Sequence, residues 1–259
     1  MATSKVEIAN PKVVSPAEWL AARQAHLAKE KEFTRLRDEL SRQRRELPWE
    51  KVEKPYAFEG PNGRLSLADL FQGRGQLMVY HFMLGPGWKE GCQSCSLFAD
   101  HLDGLLIHLA HRDVSLVVVS HAPLAEIQKY QQRMGWRFPW VSSFGSDFNF
   151  DYHVSFVKKD QAGGEVYYNY GLMPFRSEEE PGASVFARDA AGDVFHTYST
   201  YGRGLDMIMG VYHLLDLMPK GRDEEGLPWP MAWVRRHDNY GPDPIKLSQS
   251  ACCHEETKR

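Results

Sequence analysis

The residues best suited to chemistry are two cysteines three apart, in the run Trp88-Lys89-Glu90-Gly91-Cys92-Gln93-Ser94-Cys95-Ser96. A cysteine reacts as its thiolate, and a thiolate is favoured at the N-terminal end of a helix, where unsatisfied N–H groups face it. Gly85-Pro86-Gly87 ends an apolar run just upstream and a helical pattern follows, so the helix is expected to begin near Cys92. The spacing then sets Cys95 one turn further in, within disulfide reach of Cys92 but less exposed. An outer nucleophile with an inner resolving thiol is what dithiol–disulfide exchange requires. The same spacing is also half of a zinc site, or simply two buried small residues. Zinc would need a second ligand set, and the clustered candidate is Cys252-Cys253-His254, about 160 residues away. That vicinal pair is too close to form an unstrained disulfide with itself.

Other side chains are placed around this pair. Trp88 and Ser96 flank it as supporting residues, Trp88 either shaping a groove or packing. His121 follows an apolar strand and is expected at the carboxyl end of a sheet, either as a base toward a thiol or as turn filler between a capping Ser120 and Pro123. His81 and His196 lie inside strand patterns and read as satisfied core histidines. Glu178-Glu179-Glu180 reads as a solvated loop.

The elements that must hold these residues follow from periodicity. Ser15-Pro16-Ala17-Glu18 is a capping box opening a long helix in which Leu20, Leu27, Phe33, Leu36, Leu40 and Leu47 recur at roughly helical spacing before Pro48. Tyr56–Glu59 and Arg64–Leu67 form a hairpin about Asn62-Gly63. Leu77–Met83 and Val114–Val119 are strands buried on both faces, joined by a helix over Ser96–Ala110 in a right-handed crossover. A second helix spans Pro123–Met134 with Gly135 as its stop, and Phe138–Ser142 is a third strand. Ala183–Arg188 and Val194–Thr200 make an antiparallel hairpin, followed by a helix over about Leu205–Leu217.

This order gives an α/β fold, a central mixed sheet flanked by helices, and it resembles the thioredoxin-like fold. The expected organisation is an N-terminal helical extension (1–55), a core domain (56–218) with an insert at about 145–182, and a Pro/Trp-rich wrapping tail (219–259). Composition agrees with one folded domain plus decorations: 259 residues, 42% hydrophobic and 25% charged. Lys and Arg number 31 against 34 Asp and Glu, a formal charge of −3, which recommends neither nucleic acid nor an anionic membrane as partner. Four cysteines are too few for a disulfide scaffold. Met1–Ser15 has no apolar leader-like run and no stretch approaches a spanning helix, so a cytoplasmic, reducing setting is expected.

Beyond these patterns, Tyr56 to about Met218 resembles the thioredoxin-like superfamily. More closely, Gly91–Ser96, Ser120-His121-Ala122-Pro123, Met134-Gly135-Trp136, Pro139–Ser143, Phe148–Asp151, Phe195–Ser199 and Trp233–Asp238 resemble the family catalogued as domain of unknown function 899. The resemblance implies a dithiol–disulfide oxidoreductase using Cys92 and Cys95, with a protein or small-molecule disulfide as substrate, an external thiol reductant and no cofactor. A non-catalytic binding or scaffold protein, a thiol peroxidase and a cysteine-bound zinc site are the alternatives. The sequence departs from the thioredoxin pattern in three places. Gln93-Ser94 lacks the usual proline, Trp88 is four residues before Cys92, and no proline stands at Gly182-Ala183-Ser184, although Pro181 is adjacent. Pro86 to Cys92 does not fit the Pro-x-x-x-Thr-x-x-Cys loop of peroxiredoxins.

Overall fold

A computed structural model describes residues 11–157 and 164–241; Cys252, Cys253 and His254 lie outside them. The strands are β1 (Glu50–Lys51), β2 (Ala57–Gly60), β3 (Gly63–Ser66), β4 (Gln76–His81), β5 (Val114–Ser120), β6 (Trp140–Ser142), β7 (Glu165–Tyr168), β8 (Gly171–Pro174), β9 (Gly182–Arg188) and β10 (Val194–Tyr201). The helices are α1 (Pro16–Arg44), α2 (Gln93–Ala99), α3 (Leu106–Ala110), α4 (Leu124–Met134), α5 (Phe148–Asp151) and α6 (Gly210–Leu215), with 3-10 turns at Asp69–Phe71, Gly202–Ile208 and His237–Asn239.

Eight strands form one mixed sheet in the order β1-β10-β9-β4-β5-β6-β2-β3. β4, β5 and β6 run parallel, while β9 is antiparallel to β4 and β10 to β9. The order β10-β9-β4-β5, with helices between β4 and β5 and after β10, is the thioredoxin-like core. β4 and β5 are central because their side chains are apolar on both faces, as a strand buried on both sides requires. Alternation along β4 divides the core. Tyr80, with Phe82 just beyond the strand, packs with Cys95, Phe98 and Trp140 on one face, and Leu77 and Val79 pack with Phe58, Phe148 and Phe186 on the other.

The expected helix over Ser96–Ala110 is two short helices, α2 and α3. The reason is tertiary: Asp100 accepts from Trp136 Nε1 at 2.8 Å and pairs with His237, and Asp103 accepts from the backbone N–H of Arg137. Those demands pull the intervening turn out of helical register. The expected helix over Leu205–Leu217 is likewise a 3-10 turn followed by α6, broken at Met209, whose φ of −92° and ψ of 83° are not helical. Ser120 does not cap α4. Its hydroxyl donates to the Phe82 carbonyl at 2.7 Å, tying β4 to β5, and Pro123 takes the cap position.

α1 forms with the capping box complete: Ser15 Oγ accepts from the Glu18 N–H, and the Glu18 carboxylate accepts from the Ser15 N–H at 3.0 Å. None of its residues is buried, and Trp19, Leu20, Phe33, Leu36 and Leu40 are exposed. Leu20 and Leu27 fall on the side opposite Phe33, Leu36 and Leu40 at 100° per residue, so the leucines make no single apolar face. No helix of the described residues is long and apolar enough to cross a membrane.

Candidate active site

The chain leaves β4 at His81, loops through Gly85-Pro86-Gly87, and returns so that the Cys92 N–H donates to the Met83 carbonyl at 3.1 Å. Gly91 is required for this return. A Cβ there would lie 2.4 Å from Phe82 Cε1 and 2.8 Å from Tyr130 Cε1, so any side chain would push Cys92 off the core. Cys92 is the N-cap of α2 and Cys95 lies in its first turn, both as free thiols.

Their environments separate them. Cys92 is half-buried, and its thiol is lowered to about 7 because the Cys95 thiol and the backbone N–H groups of Cys95 and Ser94 donate to its sulfur, outweighing desolvation. Cys95 is 1% exposed and held well above an ordinary thiol, first by burial and then by its neighbour Cys92. The Tyr80 hydroxyl donates to Cys95 and opposes that shift. One thiol is therefore poised to ionise near neutrality and the other to keep its proton.

Both cysteines line a cavity of about 660 Å³. Its far wall comes from Gly202–Asp216 and from Arg222, Glu224, Pro230 and Met231 of the C-terminal segment. That wall is cross-tied: Glu224 accepts from Tyr212 Oη, the Met231 N–H and Trp233 Nε1 at 2.5, 2.9 and 2.8 Å, and Arg222 pairs with Asp206 and Asp216. Pro181 also lines the cavity, immediately before β9, and every peptide bond of the described residues is trans.

Of the supporting residues, Ser96 is fully buried, donates to the Cys92 carbonyl at 2.7 Å and meets Tyr130 Oη at 2.9 Å, which fixes the start of α2. Trp88 is not among the cavity-lining residues; it packs over Gly85, whose added Cβ would be 3.1 Å from its Nε1. His121 emerges at the end of β5 as expected but does not join the cysteines in their cavity. Its Nδ1 is 3.1 Å from Glu179 Oε1, and its ring meets Phe150 edge-on.

That pairing corrects the reading of the acidic triplet as a solvated loop. Ser155 and Glu179 form an antiparallel bridge, which turns the Glu179 side chain inward, where it is 3% exposed and accepts from Ser155 Oγ at 2.6 Å. Glu180, one residue on, faces the cavity half-buried, its carboxyl raised by desolvation, and its charge opposes ionisation of Cys92. His81 is core, as expected, but only half satisfied: Nε2 meets Ser184 Oγ at 2.8 Å while Nδ1 is buried without a partner. His196 Nε2 meets Ser199 Oγ at 2.7 Å.

Sequence reasoning missed Arg236. Its guanidinium donates to the Gly91 carbonyl at 2.6 Å and to Tyr130 Oη at 3.0 Å and pairs with Glu90, so a residue 144 positions beyond Cys92 fastens the loop that carries it. The run Trp233–Asp238 marked that segment, but nothing local in it pointed to Gly91.

The fold is thioredoxin-like, with Cys92 and Cys95 at the start of the helix after its central strand. The chain belongs to the family described as bacterial protein of unknown function (DUF899), whose family model matches residues 8–240. No curated protein matches the chain. Among solved structures, peroxidoxin BcpB from Mycobacterium tuberculosis is 16% identical with a TM-score of 0.37, covering 65% of this chain and 97% of that one. Peroxiredoxin Q from Xanthomonas campestris is 12% identical with a TM-score of 0.38, covering 64% and 99%. A Chlorobium tepidum protein assigned as thiol:disulfide interchange protein DsbE is 12% identical with a TM-score of 0.39, covering 64% and 97%.

Proposed function

We propose that the chain is a dithiol–disulfide oxidoreductase in which Cys92 is the nucleophile and Cys95 the resolving thiol. The observation that carries this reading is the opposed shift of two thiols in one helical turn, Cys92 lowered to about 7 and Cys95 raised, both facing one cavity. Cys92 thiolate attacks a sulfur of the substrate disulfide, breaking its S–S bond and releasing one thiolate. Cys95 then gives up its proton to a departing thiolate and attacks Cys92 Sγ, which frees the second half of the substrate and leaves the pair oxidised by two electrons. An external thiol reductant restores it.

Titrating thiols before and after a mild disulfide oxidant tests this reading. The expected result is the loss of two thiols per chain, abolished alike by Cys92→Ser and Cys95→Ser; a thiol count unchanged by the oxidant refutes it.

A further inference from the structure

Resting on the dithiol reading, we infer that the site is built for a small disulfide, uncharged or cationic, rather than for a disulfide on a folded protein or a carboxylate-rich one.

The first reason is recess. Exchange with a folded protein is easiest at a sulfur on an open surface, whereas Cys92 is half-buried in the lining of a half-open cavity of about 660 Å³ that residues of the 202–216 and 222–231 segments also line. That volume lies in the range of small-molecule sites. The wall is not a loose flap, because Glu224 accepts three hydrogen bonds across it and Arg222 bridges two carboxylates of the facing segment.

The second reason is the lining. Met83, Met209 and Met231 present thioethers and Tyr80 and Tyr212 present rings, a soft apolar surface that adapts to varied small groups. The third is charge. Glu180, Asp206, Asp216 and Glu224 line the cavity against Arg203 and Arg222. Both guanidiniums are already held, Arg203 by Asp206 at 2.7 Å and Arg222 by Asp206 and Asp216. Arg203 is otherwise exposed, but four carboxylates face two guanidiniums around the cavity, so a substrate carboxylate meets a net negative lining. An ammonium or a hydroxyl meets no such penalty.

Mixing the reduced full chain in single turnover with four disulfides tests the inference: bis(2-hydroxyethyl) disulfide, cystamine, oxidised glutathione and insulin. Each rate constant is divided by that of the same disulfide with dithiothreitol, which removes intrinsic reactivity. The normalised constants for the first two are expected to exceed those for glutathione disulfide and insulin at least tenfold. Met231→Trp, which fills the cavity, is expected to cut the first two about tenfold while leaving the redox potential of the pair unchanged. Equal or faster reaction with insulin or glutathione disulfide overturns the inference, as does a Met231→Trp chain that reacts like the parent. A chain that loses two thiols to insulin alone overturns the substrate class but leaves the dithiol reading standing. A chain that loses no thiols to any of the four overturns both.

Discussion

The two sulfurs differ in what surrounds them more than in where they sit on the helix. Cys92 accepts from the Cys95 thiol and from two backbone N–H groups, while burial penalises a charge on Cys95 more than its own donors relieve it. The alkylation rate of Cys92 by iodoacetamide is therefore expected to rise with pH through a midpoint of about 7. Cys95→Ala removes the largest stabilising donor and should carry that midpoint up toward the ordinary thiol value of about 8.5. Glu180→Gln removes a repelling charge and should carry it down by a fraction of a unit. A midpoint that stays put in both variants would show that the backbone alone sets it. On the opposite face of the sheet, burial lowers His81 to about 3. Between about 6.5 and 3 the unfolded chain holds a proton there that the folded chain does not, so this residue makes stability fall as pH drops through that interval. The slope from one such proton is at most about 1.4 kcal/mol per pH unit. His81→Gln keeps a polar partner for Ser184 but cannot titrate, so its urea midpoint should depend less on pH below 6.5 than that of the parent.

At the scale of elements, the parallel pair β4–β5 and the hairpin β9–β10 were legible because their causes are local. Apolar runs bounded by Gly and Asp-Ala-Ala-Gly turns specify strands wherever they dock. Cys92 at the head of a helix was legible for the same reason, since Gly-Pro-Gly upstream and Leu97-Phe98 downstream fix the boundary. The split of α2 from α3 was not, because its cause is Trp136, Arg137 and His237 reaching back to Asp100 and Asp103. The loop ahead of α2 shows the same limit. Its carbonyl at Gly91 is held by Arg236, whose side chain is only 11% exposed, and a charged hydrogen bond of this kind contributes about 1.5–3 kcal/mol. Arg236→Met keeps the stem and removes the fork, leaving the Gly91 carbonyl and Tyr130 hydroxyl without that donor. It is expected to lower stability by about 2 kcal/mol in urea unfolding and to speed amide exchange at Gln93–Ser96 more than in β4 or β5. Equal acceleration everywhere would mean that Arg236 supports the whole domain and not this loop.

For the molecule as a whole, the two ends of the described chain behave oppositely. The C-terminal segment is fastened through Arg236 and through Asp238, which pairs with Arg133 at 2.8 Å, so it is tied to α4 and to the loop ahead of α2. No residue of α1 is fully buried, and its interactions are largely its own: the Ser15–Glu18 cap and the ion pairs Arg23–Glu30, Arg42–Glu39 and Arg42–Glu46. The stacking of the Arg44 guanidinium over Tyr198, at 4.7 Å, ties its last turn to the core. Surface pairs and a cap contribute about 1 kcal/mol or less each, so α1 is expected to open without cost to the sheet. Trypsin at low ratio should then cut first between Lys29 and Arg45 and leave a resistant fragment that starts near Glu46 and retains the tail through Asp238. Retention of the tail is the sharper half of this expectation, because its arginines and Lys220 are trypsin sites, and only its bonds to the core slow cleavage there. Cleavage in the tail as early as in α1 would show that the wall of the cavity opens on its own, and the recess around Cys92 would then belong to one state among several.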